Sequence, residues 1–78
     1  MKEDLREIYR KLTHKEKIVF DYFLKNVSVG EILAIRELSA IYKIENPEQI
    51  INSLIAKGLL ERGIGCYNLA KELRVHEK

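Results

Sequence analysis

The sequence predicts one small α+β domain, mainly helical, with a β-hairpin near its end. Apolar residues recur at helical spacing through the first half of the 78-residue chain. A helix start at Asn46-Pro47 and a helix-ending glycine at Gly58 bound a further helix. Two short runs then flank Gly63-Ile64-Gly65, which is typical of a hairpin with a glycine turn.

A short N-terminal helix is expected within residues 1–12, where four apolar residues share one face: Leu5, Ile8, Tyr9 and Leu12. Thr13 and Glu16 form a capping box, which predicts a second helix from His14 to about Val27. This second helix is apolar on more than one face, so two of its sides need cover. The N-terminal helix can supply the second cover, either from the same chain or from a partner chain.

The middle of the chain is expected to begin with a short strand at residues 31–35, because this segment is short and rich in β-branched residues. Helical spacing returns over residues 36–42, and residues 43–45 form a turn. An N-cap asparagine, a proline at the first helical position and a glutamine at the third predict the next helix over residues 47–57. For residues 70–78, the sequence does not decide between a short helix and a strand.

Composition excludes several classes of protein. Cys66 is the only cysteine, so no disulfide forms within the chain, and a reducing, cytoplasmic setting is expected. No apolar run approaches the ~18 residues of a membrane span. Neither a metal site nor a cofactor is expected, and no nucleophile–base pair suggests an enzyme, so no catalytic residues are assigned. The many isoleucine, lysine, glutamate and arginine residues hint at a thermophile.

The order of these elements resembles the winged helix-turn-helix family, in particular its small archaeal-type DNA-binding members. The first core helix of that family is similar to LTHKEKIVFDYFLKN, and the short strand with the next helix is similar to EILAIRELSAIYKI. The recognition helix and the wing are similar to PEQIINSLIAKGLLERGIGCYNL. The resemblance implies a single winged-helix domain, with an N-terminal helix at 1–12, a three-helix core with a short wing at 13–69, and a tail at 70–78.

The resemblance also implies that the recognition helix, residues 47–57, enters the major groove of double-stranded DNA. Amide and hydroxyl side chains would contact base edges, namely Gln49, Asn52 and Ser53. Cationic side chains would hold phosphates, namely Arg36, Lys43, Lys57 and Arg62. We therefore expect a small, sequence-specific transcriptional regulator that acts as a homodimer. The expected dimer interface consists of Leu5, Ile8, Tyr9, Ile18 and Tyr22.

The charge of the recognition helix favours a second hypothesis. Lys57 is its only basic residue and Glu48 balances it, while the whole chain carries a net charge of only +2. Ile50 and Ile55 either widen the buried stripe of the helix or, with Ile64, form an apolar patch that suits a protein partner. The alternative is thus a winged-helix interaction module, a small accessory subunit of a DNA replication, repair or transcription complex.

Overall fold

The computed structural model describes residues 5–74, and these residues form five α-helices and one three-stranded antiparallel sheet. The helices are α1 (Leu5–Arg10), α2 (His14–Asn26), α3 (Glu31–Ala40), α4 (Pro47–Ala56) and α5 (Lys71–Arg74), and the strands are β1 (Ser28–Gly30), β2 (Leu60–Gly63) and β3 (Cys66–Leu69). The predicted α+β class is confirmed, and the architecture is compatible with a winged helix. The predictions for residues 1–4 and 75–78 lie outside the described residues.

The predicted capping box at the start of α2 is confirmed. The Thr13 hydroxyl accepts a hydrogen bond from the Glu16 amide at 3.2 Å, and the Glu16 carboxylate accepts one from the Thr13 amide at 3.0 Å. Two backbone N–H groups that a helix start leaves without partners are satisfied in this way. The helix ends at Asn26, and the chain then turns directly into β1.

The prediction of a strand at residues 31–35 is wrong, because this segment is the first half of α3. The strand lies three residues earlier, at Ser28–Gly30, where the backbone pairs with β3. Ala34 and Leu38, four residues apart, are both fully buried and form the inner stripe of α3. A glutamate opens the helix, where a negative charge favours the helix dipole. The β-branched residues of the segment therefore lie on a helix, which tertiary packing imposes.

The sheet has the order β1-β3-β2, with β3 in the centre. The predicted hairpin forms β2 and β3, but its turn has two residues, Ile64 and Gly65, because Gly63 already pairs with Cys66. A side chain at Gly63 would have no room, since a Cβ there would lie 2.7 Å from the Cys66 sulfur. The backbone of β2 at Gly63 therefore lies close to the side chain of Cys66 on β3.

Helices α2, α3 and α4 pack with the sheet around one hydrophobic core. The expected inner residues of α4, Ile51 and Leu54, are fully buried. Phe23 of α2 and Tyr67 of β3 meet edge to face, with their ring centroids 6.4 Å apart. The sequence left the tail between a helix and a strand, and residues 71–74 are helical. Leu73 of α5 packs against this core.

Helix α4 begins and ends close to where the sequence predicts, although one expected hydrogen bond, at its N-cap, does not form. Pro47 occupies the start of the helix as predicted, but the side chain of the N-cap Asn46 makes no capping hydrogen bond. At the other end, Gly58 has a φ of +79°. Its amide donates to the Ile55 carbonyl at 2.9 Å, and the Leu59 amide donates to the Leu54 carbonyl at 3.0 Å. This pair of bonds is a Schellman motif.

The left-handed backbone at Gly58 yields a test of stability. Gly58→Ala should lower the free energy of unfolding by about 1–2 kcal/mol, because an L-residue is strained in this conformation. No atom lies within 4 Å of the new Cβ, so the loss reflects the backbone alone. Gly58→Asn is the matched control and should lose less, since asparagine adopts left-handed conformations more readily. Urea denaturation measures both, and equal losses for the two variants would contradict this account.

Candidate interaction surfaces

The outer face of α4, to which the sequence assigned base contacts, is exposed at Gln49 and Asn52 and half-buried at Ser53. The opposite face of the helix packs against α2, α3 and β2. α4 is therefore placed as a recognition helix would be, with one face in the core and one outside. What this face can bind depends on whether its polar groups are free.

A buried carboxylate, Glu16 of α2, holds two of these polar groups. The Ser53 hydroxyl donates to one carboxylate oxygen at 2.6 Å. The Lys57 ammonium lies 3.0 Å from both oxygens of the same carboxylate. Together with the Thr13 amide, these donors surround the buried charge, as a charge away from water requires. Sequence analysis found Glu16 only as a helix cap and missed its role as the partner of α4.

The pKa of Glu16 shows the balance of forces at this site. Burial of the carboxyl by itself would raise its pKa. Hydrogen bonds from Ser53, the Thr13 amide and Lys57, with the positive charge of Lys57, outweigh burial and lower the pKa of Glu16 from 4.5 to about 2. The carboxylate therefore stays charged through the neutral range, and Lys57 stays bound to it.

Arg62 of the wing is also engaged within the chain. Its guanidinium donates to the Asn52 side-chain oxygen at 2.9 Å and lies 4.0 Å from the Glu31 carboxylate. It also stacks over the Tyr67 ring, 5.3 Å from the ring centroid. The wing thus uses its cation to fasten itself to α4 and the sheet.

The seven residues predicted to contact DNA fall into two groups, those bound to other residues of the chain and those that are not. Asn52, Ser53, Lys57 and Arg62 come together around α4, but each is bound to another residue of the chain. The remaining three are exposed, and their side chains make no hydrogen bond or ion pair within residues 5–74, namely Gln49, Arg36 and Lys43. Arg36 lies on α3 rather than on α4. Their contact with DNA stays a prediction.

Two of the five residues assigned to a dimer interface are unavailable to a second chain. Ile8 of α1 and Tyr22 of α2 are buried in the core of this chain, and the Tyr22 hydroxyl donates to Glu37. Both residues are thus already packed within one chain, and the assignment of a dimer interface stays a prediction. Tyr9 packs its ring edge on to Phe20, with centroids 5.8 Å apart, and its hydroxyl donates to Asp21. The other two behave differently, since Ile18 packs partly against the core and Leu5 remains exposed.

The apolar residues assigned to a protein partner differ in exposure. Ile50 and Ile55 are half-buried and pack against the core, so they widen the buried stripe of α4. Ile64, at the tip of the wing, is fully exposed. The α4 helix therefore carries no separate apolar patch of its own.

An exposed apolar surface lies instead on the outer face of α3, where sequence analysis placed only a phosphate contact, at Arg36. Ile32 is 75% exposed and Leu33 is 48% exposed, while Ile35 is half-buried. A surface groove of about 540 Å³ runs along this helix, lined by Ile32, Ile35, Arg36, Ser39 and Ala40. The spacing of these lining residues is that of one helix face. That signal was present in the sequence, but assigning residues 31–35 to a strand concealed it.

Two further searches of the described residues concern other functions. Within residues 5–74, no three His, Cys, Asp or Glu side chains are grouped so that they could hold a metal ion. None of the helices in this range is both long enough and apolar enough to cross a membrane. The expected absence of catalytic activity and of a cofactor stays a prediction.

The lowered pKa of Glu16 predicts a pH-dependent stability. The carboxylate stabilises the fold above its unfolded pKa of 4.5, and this contribution is lost as pH falls towards the folded pKa of about 2. Glu16→Gln should therefore lower the free energy of unfolding near pH 7 by on the order of 3 kcal/mol, and by much less near pH 2. Glutamine can still complete the capping box, so the difference isolates the charge.

Urea denaturation of wild type and variant across this pH range measures the effect. Glu45→Gln, at an exposed glutamate, is the matched control and should change stability little at any pH. A loss for Glu16→Gln that is as large near pH 2 as near pH 7 would show that the charge is not what matters.

Comparison with known families identifies the chain. The family model described as PolB1 Binding Protein 2 matches residues 13–75. The match begins at the N-cap of α2 and takes in α2 to α5 with the whole sheet. Comparison with curated proteins gave no significant match. Since the match covers most of the chain, the protein belongs to the PolB1 Binding Protein 2 family.

Proposed function

We propose that this protein is a non-catalytic accessory subunit that binds a DNA polymerase, PolB1. The observation that carries the proposal is the family match over residues 13–75, because the family is described by its binding to PolB1. Of the two functions that the sequence allowed, this is the protein-interaction module of a replication complex. A winged-helix architecture is compatible with either function, so the surface has to discriminate between them.

The state of the cations around α4, Lys57 and Arg62, supports a protein partner over DNA. Phosphate contacts supply most of the non-specific affinity for DNA, and each needs a donor. Lys57 is paired with Glu16, and Arg62 is held by Asn52 and Glu31. Releasing either cation to a phosphate would cost an internal contact, and Lys57 would leave a buried carboxylate without its counter-charge. Weak DNA binding without sequence preference is what the remaining donors support.

The distribution of apolar surface supports the same function. Within residues 5–74, large aliphatic side chains are most exposed on α3, just after it, and at the wing tip, at Ile32, Ile41 and Ile64. Exposed apolar patches on a small protein mark interaction sites with proteins or membranes. Two residues of the homodimer interface expected from the sequence, Ile8 and Tyr22, are buried in the core of the chain, so we propose a heterologous partner.

Complex formation with PolB1 is the direct test. Mixed with purified PolB1 of the same organism, the protein should elute as a one-to-one complex in size-exclusion chromatography with light scattering. Alone it should elute with a monomer mass of 9.1 kDa. Isothermal titration gives the affinity, and an unrelated DNA polymerase is the control. Absence of a complex at micromolar concentrations would overturn the proposal.

Binding to DNA is tested beside it. A gel-shift titration against duplex fragments at two salt concentrations should give weak binding, without sequence preference, that raised salt abolishes. Tight binding to particular fragments by a species of twice the monomer mass would instead support the dimeric transcriptional regulator.

A further inference from the structure

We propose that the polymerase docks on the outer face of α3, and that this face accepts an aliphatic helix carrying a carboxylate that pairs with Arg36. This inference rests on the proposed function and names the surface and the chemistry of the partner. Three observations carry it, namely an exposed apolar helix face, a cation at its centre that pairs with no residue among 5–74, and a fully exposed isoleucine on the turn beside it.

The apolar face begins at the first turn of α3 and follows the helix. Ile32, which is 75% exposed, and Leu33, which is 48% exposed, project from the first turn of α3. The groove of about 540 Å³ runs from Ile32 along this helix and has small residues, Ser39 and Ala40, at its far end. Small residues let a second helix approach closely, and side chains spaced three and four residues apart form the ridges that such a helix packs against.

Arg36 lies at the centre of this face. At 100° per residue it stands four residues after Ile32 and four before Ala40, on the side of the helix opposite the buried Ala34 and Leu38. Its side chain is exposed and makes no hydrogen bond or ion pair within residues 5–74. A free guanidinium among aliphatic side chains suits an interface, where arginine is enriched and pairs bidentately with carboxylates.

The carboxylates of α3 itself cannot serve Arg36. Glu37 accepts a hydrogen bond from the Tyr22 hydroxyl. Glu31 lies 3.5 Å from the Tyr67 hydroxyl and 4.0 Å from Arg62. Within the described part of the chain, the outer face of α3 therefore presents a cation without an acidic counterpart, so the complementary partner is an aliphatic surface with a carboxylate.

The same charge argues against a second copy of this chain. A two-fold dimer through the outer face of α3 would place the same patch on both sides of the interface. Each Arg36 would then face a partner surface that holds another Arg36 and no free carboxylate. Like charges in such a contact are unfavourable, so a different protein is the better occupant.

The wing tip extends the surface at the start of α3. The Glu31 amide donates to the Gly65 carbonyl at 2.9 Å, which fastens the wing turn beside the first turn of the helix. Ile64, the other residue of that turn, is fully exposed. A helix lying along the outer face of α3 would therefore come close to Ile64 at one end.

Two variants on the α3 face test the surface by isothermal titration with full-length PolB1. Ile32→Asp puts a charge into the apolar face, yet the first turn of a helix favours an acidic residue, so the fold should be retained. Arg36→Glu reverses the charge that pairs with the partner. Each should weaken PolB1 binding by about tenfold or more, as central interface residues do. Circular dichroism and thermal unfolding check the folding of both.

Matched controls alter other faces. Lys17→Glu, at an exposed lysine of α2, changes the net charge from +2 to zero, just as Arg36→Glu does. The double variant Gln49→Ala with Asn52→Ala alters the outer face of α4. Both controls should bind PolB1 within about twofold of wild type, since surface changes outside an interface have small effects.

The chemistry of the partner has its own readouts. Wild-type affinity should fall as salt is raised, and Arg36→Ala should flatten that dependence, because one ion pair is removed. A photo-crosslinking residue in place of Ile32, followed by mass spectrometry, should mark a PolB1 peptide with aliphatic and acidic residues at helical spacing. A crosslink to a second copy of this chain, or to a peptide without a carboxylate, would overturn the stated partner chemistry.

The outcomes separate this inference from the proposed function. If wild type binds PolB1 and both α3 variants bind as tightly, the docking surface is wrong and polymerase binding stands. If the Gln49/Asn52 double variant alone loses affinity, the polymerase binds α4 instead. If wild type does not bind PolB1, both proposals fail.

Discussion

The buried carboxylate of Glu16 joins the start of α2 to the second half of α4. This contact decides which polar groups of α4 remain free at the surface. A carboxylate removed from water is costly unless donors surround it. Here the Thr13 amide, the Ser53 hydroxyl and the Lys57 ammonium all point to it. Because these donors belong to two helices, the charge holds α4 in register against α2 and leaves it little freedom to rotate.

This contact changes what α4 can do. In a winged-helix reader of DNA, the second helix of the motif presents polar and cationic groups to the groove. In this chain, Ser53 and Lys57 are turned inward to Glu16, and Arg62 returns from the wing to Asn52. The helix retains the position of a recognition helix, but Ser53 and Lys57 donate to an internal carboxylate and Asn52 accepts from Arg62. The architecture alone therefore does not decide the function, and the chemistry of the surface has to be considered with it.

The uncovered surface lies on the neighbouring helix instead. The outer face of α3 is aliphatic around a single cation, and the wing turn is hydrogen-bonded to its first residue. The chain belongs to the PolB1 Binding Protein 2 family, and an exposed aliphatic face is consistent with the protein partner that we propose. Helix α4 therefore uses polar groups for contacts within the domain, while the outer face of α3 stays exposed.

Signals that depend on a few neighbouring residues could be read directly from the sequence. The capping box at Thr13, the proline start of α4 and the left-handed Gly58 each act within about one turn of chain, and the structure contains all three. Tertiary structure decided what distant residues do to one another. It placed the strand at Ser28–Gly30 because β3 pairs there, made residues 31–35 helical, buried Ile8 and Tyr22 within one chain, and brought Lys57 to Glu16, 41 positions away. Local patterns cannot specify such contacts, because their energy arises only when distant segments pack and exclude water.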